Sequence, residues 1–285
     1  MKKILITGAN SYVGTSFEKW LSQWPDKYHV DTIDMIDGTW REKSFVGYDV
    51  IFHVAGIAHI KETKENAHLY YEINRDLAFE TAQKAKADGT KQFIFLSSMS
   101  VYGLLTGVVT KETIPAPKSN YGKSKLEAEQ LITGLANDIF KVVILRPPMI
   151  YGNGCKGNYP RFSNLVKKIR VFPKLRNKRS MLYIENFCDF VLRQVIELKQ
   201  SGVFCPQNSE YVDISSLVYV IAKVNNIDIL VSRIFVPLVC FLKIINKNIY
   251  CRVFGDLIYE RDVEMVKFDR NQISFEESIR RTEIQ

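Results

Sequence analysis

The run Ile4-Leu5-Ile6-Thr7-Gly8, with Gly14 following after five residues, constrains this chain more than any other feature. Lys3 to Thr7 is a short apolar stretch of strand type, Gly8 a tight turn, and Val13 to about Trp24 a helix stopped by Pro25-Asp26. A strand that feeds a helix through a glycine turn is the opening of a strand–helix–strand unit. The alternation continues. Val30–Ile33, Val50–Val54, Gln92–Leu96 and Lys141–Leu145 read as strands, and Asn74–Ala87 and Ser124–Leu135 as helices. Continuously apolar strands separated by helices call for a parallel sheet covered on both faces.

The expected fold class is therefore α/β: a Rossmann-type doubly wound parallel sheet with a smaller C-terminal domain. A length of 285 residues allows one large domain or two moderate ones. Pro147, Pro148, Gly152, Gly154, Gly157 and Pro160 cluster after Arg146 and mark a boundary or a binding loop. Residues 1–146 are expected to form the nucleotide-binding domain, with segments near 179–212 returning to it. Residues 147–285 are expected to form mainly a substrate domain. Hydrophobic residues at 46% and charged ones at 25% exclude disorder, collagen and coiled coil as the main state.

A glycine at the first turn lets backbone amides approach a pyrophosphate, and the helix N-terminus adds a field that favours an anion. Gly8, Asn10, Ser11, Tyr12, Val13 and Gly14 are the candidate phosphate loop. Gly8 serves the turn and Gly14 close helix–strand packing. Ser11 stands where a central glycine is usual. Asp34, at the end of the second strand, is placed to accept hydrogen bonds from ribose hydroxyls and to repel a 2′-phosphate. That favours NAD, while Arg41 keeps NADP open.

Further along come His53-Val-Ala55-Gly56, Asn74, Ser97-Ser98-Met99-Ser100-Val-Tyr102-Gly103, Tyr121-Gly-Lys-Ser-Lys125, Arg146-Pro-Pro-x-x-Tyr151-Gly152 and Arg179-Ser-Met-Leu-Tyr-Ile-Glu-Asn186. In this order and spacing the chain resembles the extended short-chain dehydrogenase/reductase family, in particular nucleotide-sugar epimerases and dehydratases of the UDP-glucose 4-epimerase type. The resemblance covers about residues 1–210. It implies Ser98, Tyr121 and Lys125 as catalytic residues. It implies Ala55, Gly56, Asn74 and Lys125 at the cofactor, with Asn74 contacting it or ordering the neighbouring loop. Arg179 matches an arginine that binds the substrate's diphosphate, and Met99 and Asn158 are placed as substrate contacts. Tyr121 and Lys125 lie one helical turn apart, so the ammonium is expected to lower the phenol's pKa and prepare it to take a hydroxyl proton. In the resembling 4,6-dehydratases, Asp and Glu follow the catalytic Ser/Thr. Here Met99 and Ser100 stand there, which argues against dehydration. The expected activity is NAD-dependent epimerisation, at C4, of a UDP-hexose or UDP-N-acetylhexosamine. The alternatives are an NAD(P)-dependent 4-ketoreductase of a UDP-linked 4-keto-deoxysugar and a non-catalytic dinucleotide sensor. A homodimer is expected by the same resemblance.

Lys plus Arg is 39 and Asp plus Glu is 31, a formal charge of +8. That fits an anionic partner without naming one. No helix-turn-helix or base-stacking motif points to nucleic acid. Five cysteines without a Cys-x-x-Cys pair, and an N-terminal apolar run limited to Ile4–Ile6, suggest reduced thiols and a cytoplasmic protein. His53 and His59 have no third ligand at useful spacing, so no metal is expected. Trp40 is either an adenine cover or a core aromatic. The stretch Ile227–Ile245 is very apolar but interrupted by Asp228, Arg233, Pro237 and Lys243. It reads as substrate-domain core or an amphipathic surface helix, with peripheral membrane contact as the lesser alternative.

Overall fold

Twelve strands can be followed in a computed structural model. It describes residues 1–58, 60, 62–261 and 272–284, and the side chains at 238, 240 and 242 fall outside that description. The strands are β1 (Lys2–Thr7), β2 (Tyr28–Ile33), β3 (Val50–His53), β4 (Gln92–Leu96), β5 (Gly107–Val109) and β6 (Lys141–Leu145). They continue with β7 (Met149–Tyr151), β8 (Val171–Pro173), β9 (Met181–Tyr183), β10 (Gly202–Phe204), β11 (Leu230–Ser232) and β12 (Leu257–Tyr259).

Six strands form a parallel sheet in the order β10-β6-β4-β3-β1-β2. Alternate residues explain its two buried faces. Leu5, Ile51, Phe93, Phe95, Val142 and Ile144 pack with Ala78, Ala82 and Ala85 of the helix Leu77–Ala87 and with Ala128 and Ile132 of the helix Asn120–Thr133. The alanines let those helices lie close to the sheet. On the other face Phe52 meets Phe17 at 5.2 Å and Phe187 at 6.4 Å. From β1 the chain steps one way to β2 and the other way to β3. That makes the carboxyl ends of β1 and β3 the switch point, where such sheets bind ligands.

By internal contacts the chain divides into two units. The first holds residues 1–103, 114–147 and 187–206, and contains the six-stranded sheet. The second holds 104–113, 148–186 and 207–285, and contains three two-stranded parallel pairs: β5 with β12, β7 with β9, and β8 with β11.

One local expectation changes and two open alternatives resolve. The helix before β4 starts earlier than Asn74. It runs from Ala67 to Tyr71, widens over Glu72–Asp76 and continues as Leu77–Ala87. Trp40 is fully buried and stacks 6.4 Å from Phe45, so it is core and no adenine cover. The 227–245 stretch is not a core helix. The helix Val236–Ile245 lies at the surface, with Phe241, Ile244 and Ile245 exposed and Val239 turned inward.

Candidate active site

The phosphate loop is built by packing as much as by turn chemistry. Gly8 has φ +99°, and a Cβ there would lie 2.8 Å from the backbone of Ala55. The turns after β1 and β3 therefore touch, and only glycine fits the first. A Cβ on Gly14 would meet Ser11 Oγ at 2.6 Å and both Ile6 and Val54 at 3.2 Å. Ser11, the departure from the usual glycine, is the N-cap of the helix Tyr12–Leu21: its Oγ accepts the Gly14 N–H at 3.1 Å. Asn10 adopts the left-handed region at φ 64°, which asparagine tolerates. Tyr12 and Val13 form the first helical turn.

Asp34 follows β2 and is exposed, with Oδ1 accepting the Ile36 N–H at 2.9 Å. Its sequence neighbours are engaged elsewhere. Asp31 accepts from Tyr48 at 2.6 Å, and Asp37 accepts from the N–H and hydroxyl of Thr39. Arg41, which kept NADP open, is held by Glu80 through two hydrogen bonds of 2.5 and 2.6 Å and lies over Trp40.

Beyond β3, Asn74 comes from the widened turn and clamps the loop. Its Oδ1 accepts the Ile57 N–H at 2.9 Å and its Nδ2 donates to the Ile57 carbonyl at 3.0 Å. A Cβ on Gly56 would stand 2.8 Å from Asn74 Oδ1 and 3.2 Å from Lys125 Nζ. Gly56, Asn74 and Lys125 thus meet at one point, and Asn74 orders the neighbouring loop.

Tyr121 and Lys125 sit in the first turns of Asn120–Thr133, a helix capped by Ser119 Oγ accepting from Gly122 at 3.1 Å. Ser124 donates to the Tyr121 carbonyl at 3.0 Å and fixes that turn. Ser98 follows β4 and stands beside Tyr121, where its hydroxyl favours the phenolate. Ser98 Oγ also donates to Ser100 Oγ at 3.1 Å, and Met99 is anchored by its N–H to the Pro147 carbonyl at 2.9 Å. The three candidate catalytic residues lie together at the carboxyl end of the sheet.

Their electrostatics differ from the expectation. Burial pushes Tyr121 up, the Ser98 hydrogen bond pulls it down, and Tyr70, 6.4 Å away ring to ring, adds to the rise. Lys125 is no part of that balance. Burial brings its own pKa down to about 7, opposed by Glu129. Its Nζ donates to the Leu96 carbonyl at 2.9 Å and lies 4.6 Å from the Phe95 ring. Burial thus disfavours the charged form of the amine that a phenolate would need beside it.

A second tier went unnoticed in the sequence. Glu129, one turn beyond Lys125, pairs with Arg146 through both carboxylate oxygens, at 3.1 Å to Nε and 2.5 Å to Nη2. Ser97 donates to Glu129, and Arg146 donates to Tyr102 at 2.9 Å. The i, i+4 step from Lys125 to Glu129 was the available signal. His53 is a core histidine. Its Nδ1 is 2.8 Å from Thr7 Oγ1, its ring lies between Phe93 and Phe95, and burial holds its pKa down at about 3. His59 lies outside the described residues.

The substrate candidates Asn158 and Arg179 belong to the second unit. Asn158 opens the helix Asn158–Val166 and is exposed. Arg179 bridges Val212 and Leu257, and its guanidinium donates to the Gly255 carbonyl at 2.9 Å. Burial lowers its pKa, while Asp256 works the other way. Within the same unit a cavity of about 1460 Å³ is lined by Lys174, Arg176, Lys178, Tyr211 and Arg233 among others.

Comparison with known proteins agrees with this architecture. The chain is 30% identical to a UDP-glucose 4-epimerase of Vibrio cholerae, over 92% of its own length and 84% of that protein's. It is 26% identical to an N-acetyl-alpha-D-glucosaminyl-diphospho-ditrans,octacis-undecaprenol 4-epimerase of Escherichia coli O157:H7, over 66% of this chain and 61% of that one. The fold matches a crystal structure of UDP-glucuronic acid 4-epimerase from Bacillus cereus in complex with NAD, with TM-score 0.73 and 18% identity over 98% of this chain and 97% of that one. A family model described as the NAD dependent epimerase/dehydratase family matches residues 4–203. This chain is therefore an NAD-dependent enzyme and belongs to the epimerase/dehydratase family.

Proposed function

We propose that this enzyme epimerises C4 of a UDP-hexose or UDP-N-acetylhexosamine. The observation that carries the reading is the grouping of Ser98, Tyr121 and Lys125 at the carboxyl end of the sheet, with Met99 and Ser100 in place of an acid–base pair. Relatives named as 4-epimerases support it.

The residues present fit the family's cofactor. Gly8 brings the turn against Ala55 and Gly14 brings the helix against Ile6 and Val54, the helix from Tyr12 points its amino end at that loop, and Gly56 stands beside Lys125 and Asn74. Gly8 through Gly14 would hold the pyrophosphate, Asp34 the adenosine ribose, and Lys125 the nicotinamide ribose. Bound NAD supplies a reversible hydride acceptor. Tyr121 takes the proton of the sugar hydroxyl and returns it after the sugar has turned over. Ser98 donates a hydrogen bond to the oxygen as it gains carbonyl character. Arg179 and the basic edge at Lys174–Lys178 would draw the substrate's diphosphate. Free thiols at Cys155, Cys188, Cys205 and Cys251 suit a cytoplasmic site of action, and the assembly proposed by resemblance is a homodimer.

The deciding experiment incubates the protein with NAD and a panel of UDP-sugars and separates the products by chromatography. Appearance of a C4 epimer without net NADH is expected. Stoichiometric NAD(P)H consumption by a 4-keto sugar would instead establish a ketoreductase. Absence of any turnover, with Tyr121→Phe behaving as wild type in cofactor binding, would leave a dinucleotide sensor.

A further inference from the structure

The helix Val236–Ile245 and the helix Lys247–Phe254 carry an apolar surface that the catalytic reading does not use. Ile234, Pro237, Phe241, Ile244 and Ile245 are exposed at spacings of three and four, so they form one stripe. Phe241 is 62% exposed, Ile244 83% and Ile245 65%, and Ile249 extends the patch. Val239, on the opposite side, is buried. Large apolar side chains left in water at consecutive turns mark a contact surface.

The charges around the stripe say what that contact is. Between residues 229 and 255 the chain carries Arg233, Lys243, Lys247 and Arg252 and no acidic residue. All four cations are exposed. Lys243 lies 5.4 Å from the Tyr250 ring, which holds its charge at the edge of the patch. Apolar side chains rimmed by cations, on helices too short to span a bilayer, are the composition of a segment that lies in an anionic lipid surface. A second copy of the chain would bring these four cations against four more.

We propose that the 236–254 helix pair docks this enzyme on an anionic membrane surface, with Phe241, Ile244 and Ile245 entering the headgroup layer and Arg233, Lys243, Lys247 and Arg252 meeting lipid phosphates. The proposal is independent of which sugar is turned over. It also has a positional consequence. Leu230, Val231 and Arg233, which lead into the first helix, line the basic cavity of the same unit, so that cavity opens beside the docking surface.

The test is flotation of the full chain with vesicles of phosphatidylcholine alone and of phosphatidylcholine mixed with phosphatidylglycerol. The protein should float with the mixed vesicles, stay behind with the neutral ones, and release as salt is raised. The variant Phe241→Glu/Ile244→Glu should lose binding by about tenfold or more. Lys243→Gln/Lys247→Gln should lose about fivefold per charge removed. Both should keep the wild-type circular dichroism spectrum and melting temperature. Should the apolar variant not fold, the lysine variant decides alone. Equal flotation of wild type and both variants, or none by wild type, overturns the proposal. So does a fall in solution mass in the variants without any vesicle binding, which would assign the stripe to a second copy.

Discussion

Glu129 and Arg146 form a two-pronged ion pair inside the first unit, four residues beyond Lys125 on the same helix. Glu129 is 4% exposed and Arg146 only partly exposed, so the carboxylate in particular has little water to fall back on. Removing one partner strands the other, at a cost of about 3–5 kcal/mol. Glu129→Ala and Arg146→Met should each lower the melting temperature sharply. Glu129→Gln is more informative. Glu129 is what holds Lys125 up against burial, so its neutralisation should lower the Lys125 pKa further and reduce the ammonium fraction near neutrality. Titration of Lys125 by NMR in wild type and Glu129→Gln would show it, and an unchanged pKa would count against the coupling.

Asn74 holds both polar backbone groups of Ile57, immediately after Gly56. Asn74→Ala leaves a half-buried N–H and C=O to find other partners, worth about 1–3 kcal/mol. Because the loop it orders is a candidate cofactor wall, NAD affinity should fall about tenfold for a loss near 1.4 kcal/mol. Asn74→Asp keeps the acceptor and loses the donor, so it should fall between. Calorimetric titration with NAD measures both, and equal affinity in all three proteins would remove Asn74 from the site.

Local spacing made part of this legible. Gly8 and Gly14 announce a strand–turn–helix because their backbone demands are met within a few residues, and Tyr121 with Lys125 needs only the helical repeat. The Ser97–Glu129–Arg146–Tyr102 network joins β4, two helical segments and the end of β6, so its partners are far apart along the chain. The direction of the Tyr121 shift is hidden for a related reason: desolvation depends on everything packed around the ring, and the neighbouring lysine is itself buried. Trp40 and the 227–245 stretch each admit two readings in the sequence, and the structure takes the core for one and the surface for the other. Apolar character alone does not say which side of a helix meets the core.

Tyr121→Phe removes the hydroxyl while keeping the ring against Tyr70. Turnover should drop by about 10²–10⁴-fold, with NAD affinity unchanged. Ser98→Ala should have a distinct signature. Its hydrogen bond is the influence that lowers the Tyr121 pKa, so its loss should move the rising limb of the pH–rate profile to higher pH as well as slow the reaction. A profile merely scaled down would assign Ser98 no part in tuning the phenol.

Lys125 gives a stability prediction whose sign is fixed by burial. Its pKa falls from an ordinary 10.5 to about 7 in the folded, cofactor-free protein. The unfolded chain therefore binds the proton more readily throughout that interval, and acid favours unfolding. The group's contribution is complete above about pH 10.5 and is lost as pH falls toward 7. Lys125→Met has no such charge to bury. Wild type should gain stability relative to Lys125→Met on going from pH 7 to pH 10, by on the order of 1–3 kcal/mol. Denaturant melts of both proteins without cofactor test this. Parallel pH dependences would mean that the amine stays charged in the folded state, held by the Leu96 carbonyl and Glu129, and Lys125 would then be the ammonium that the phenol needs from the outset.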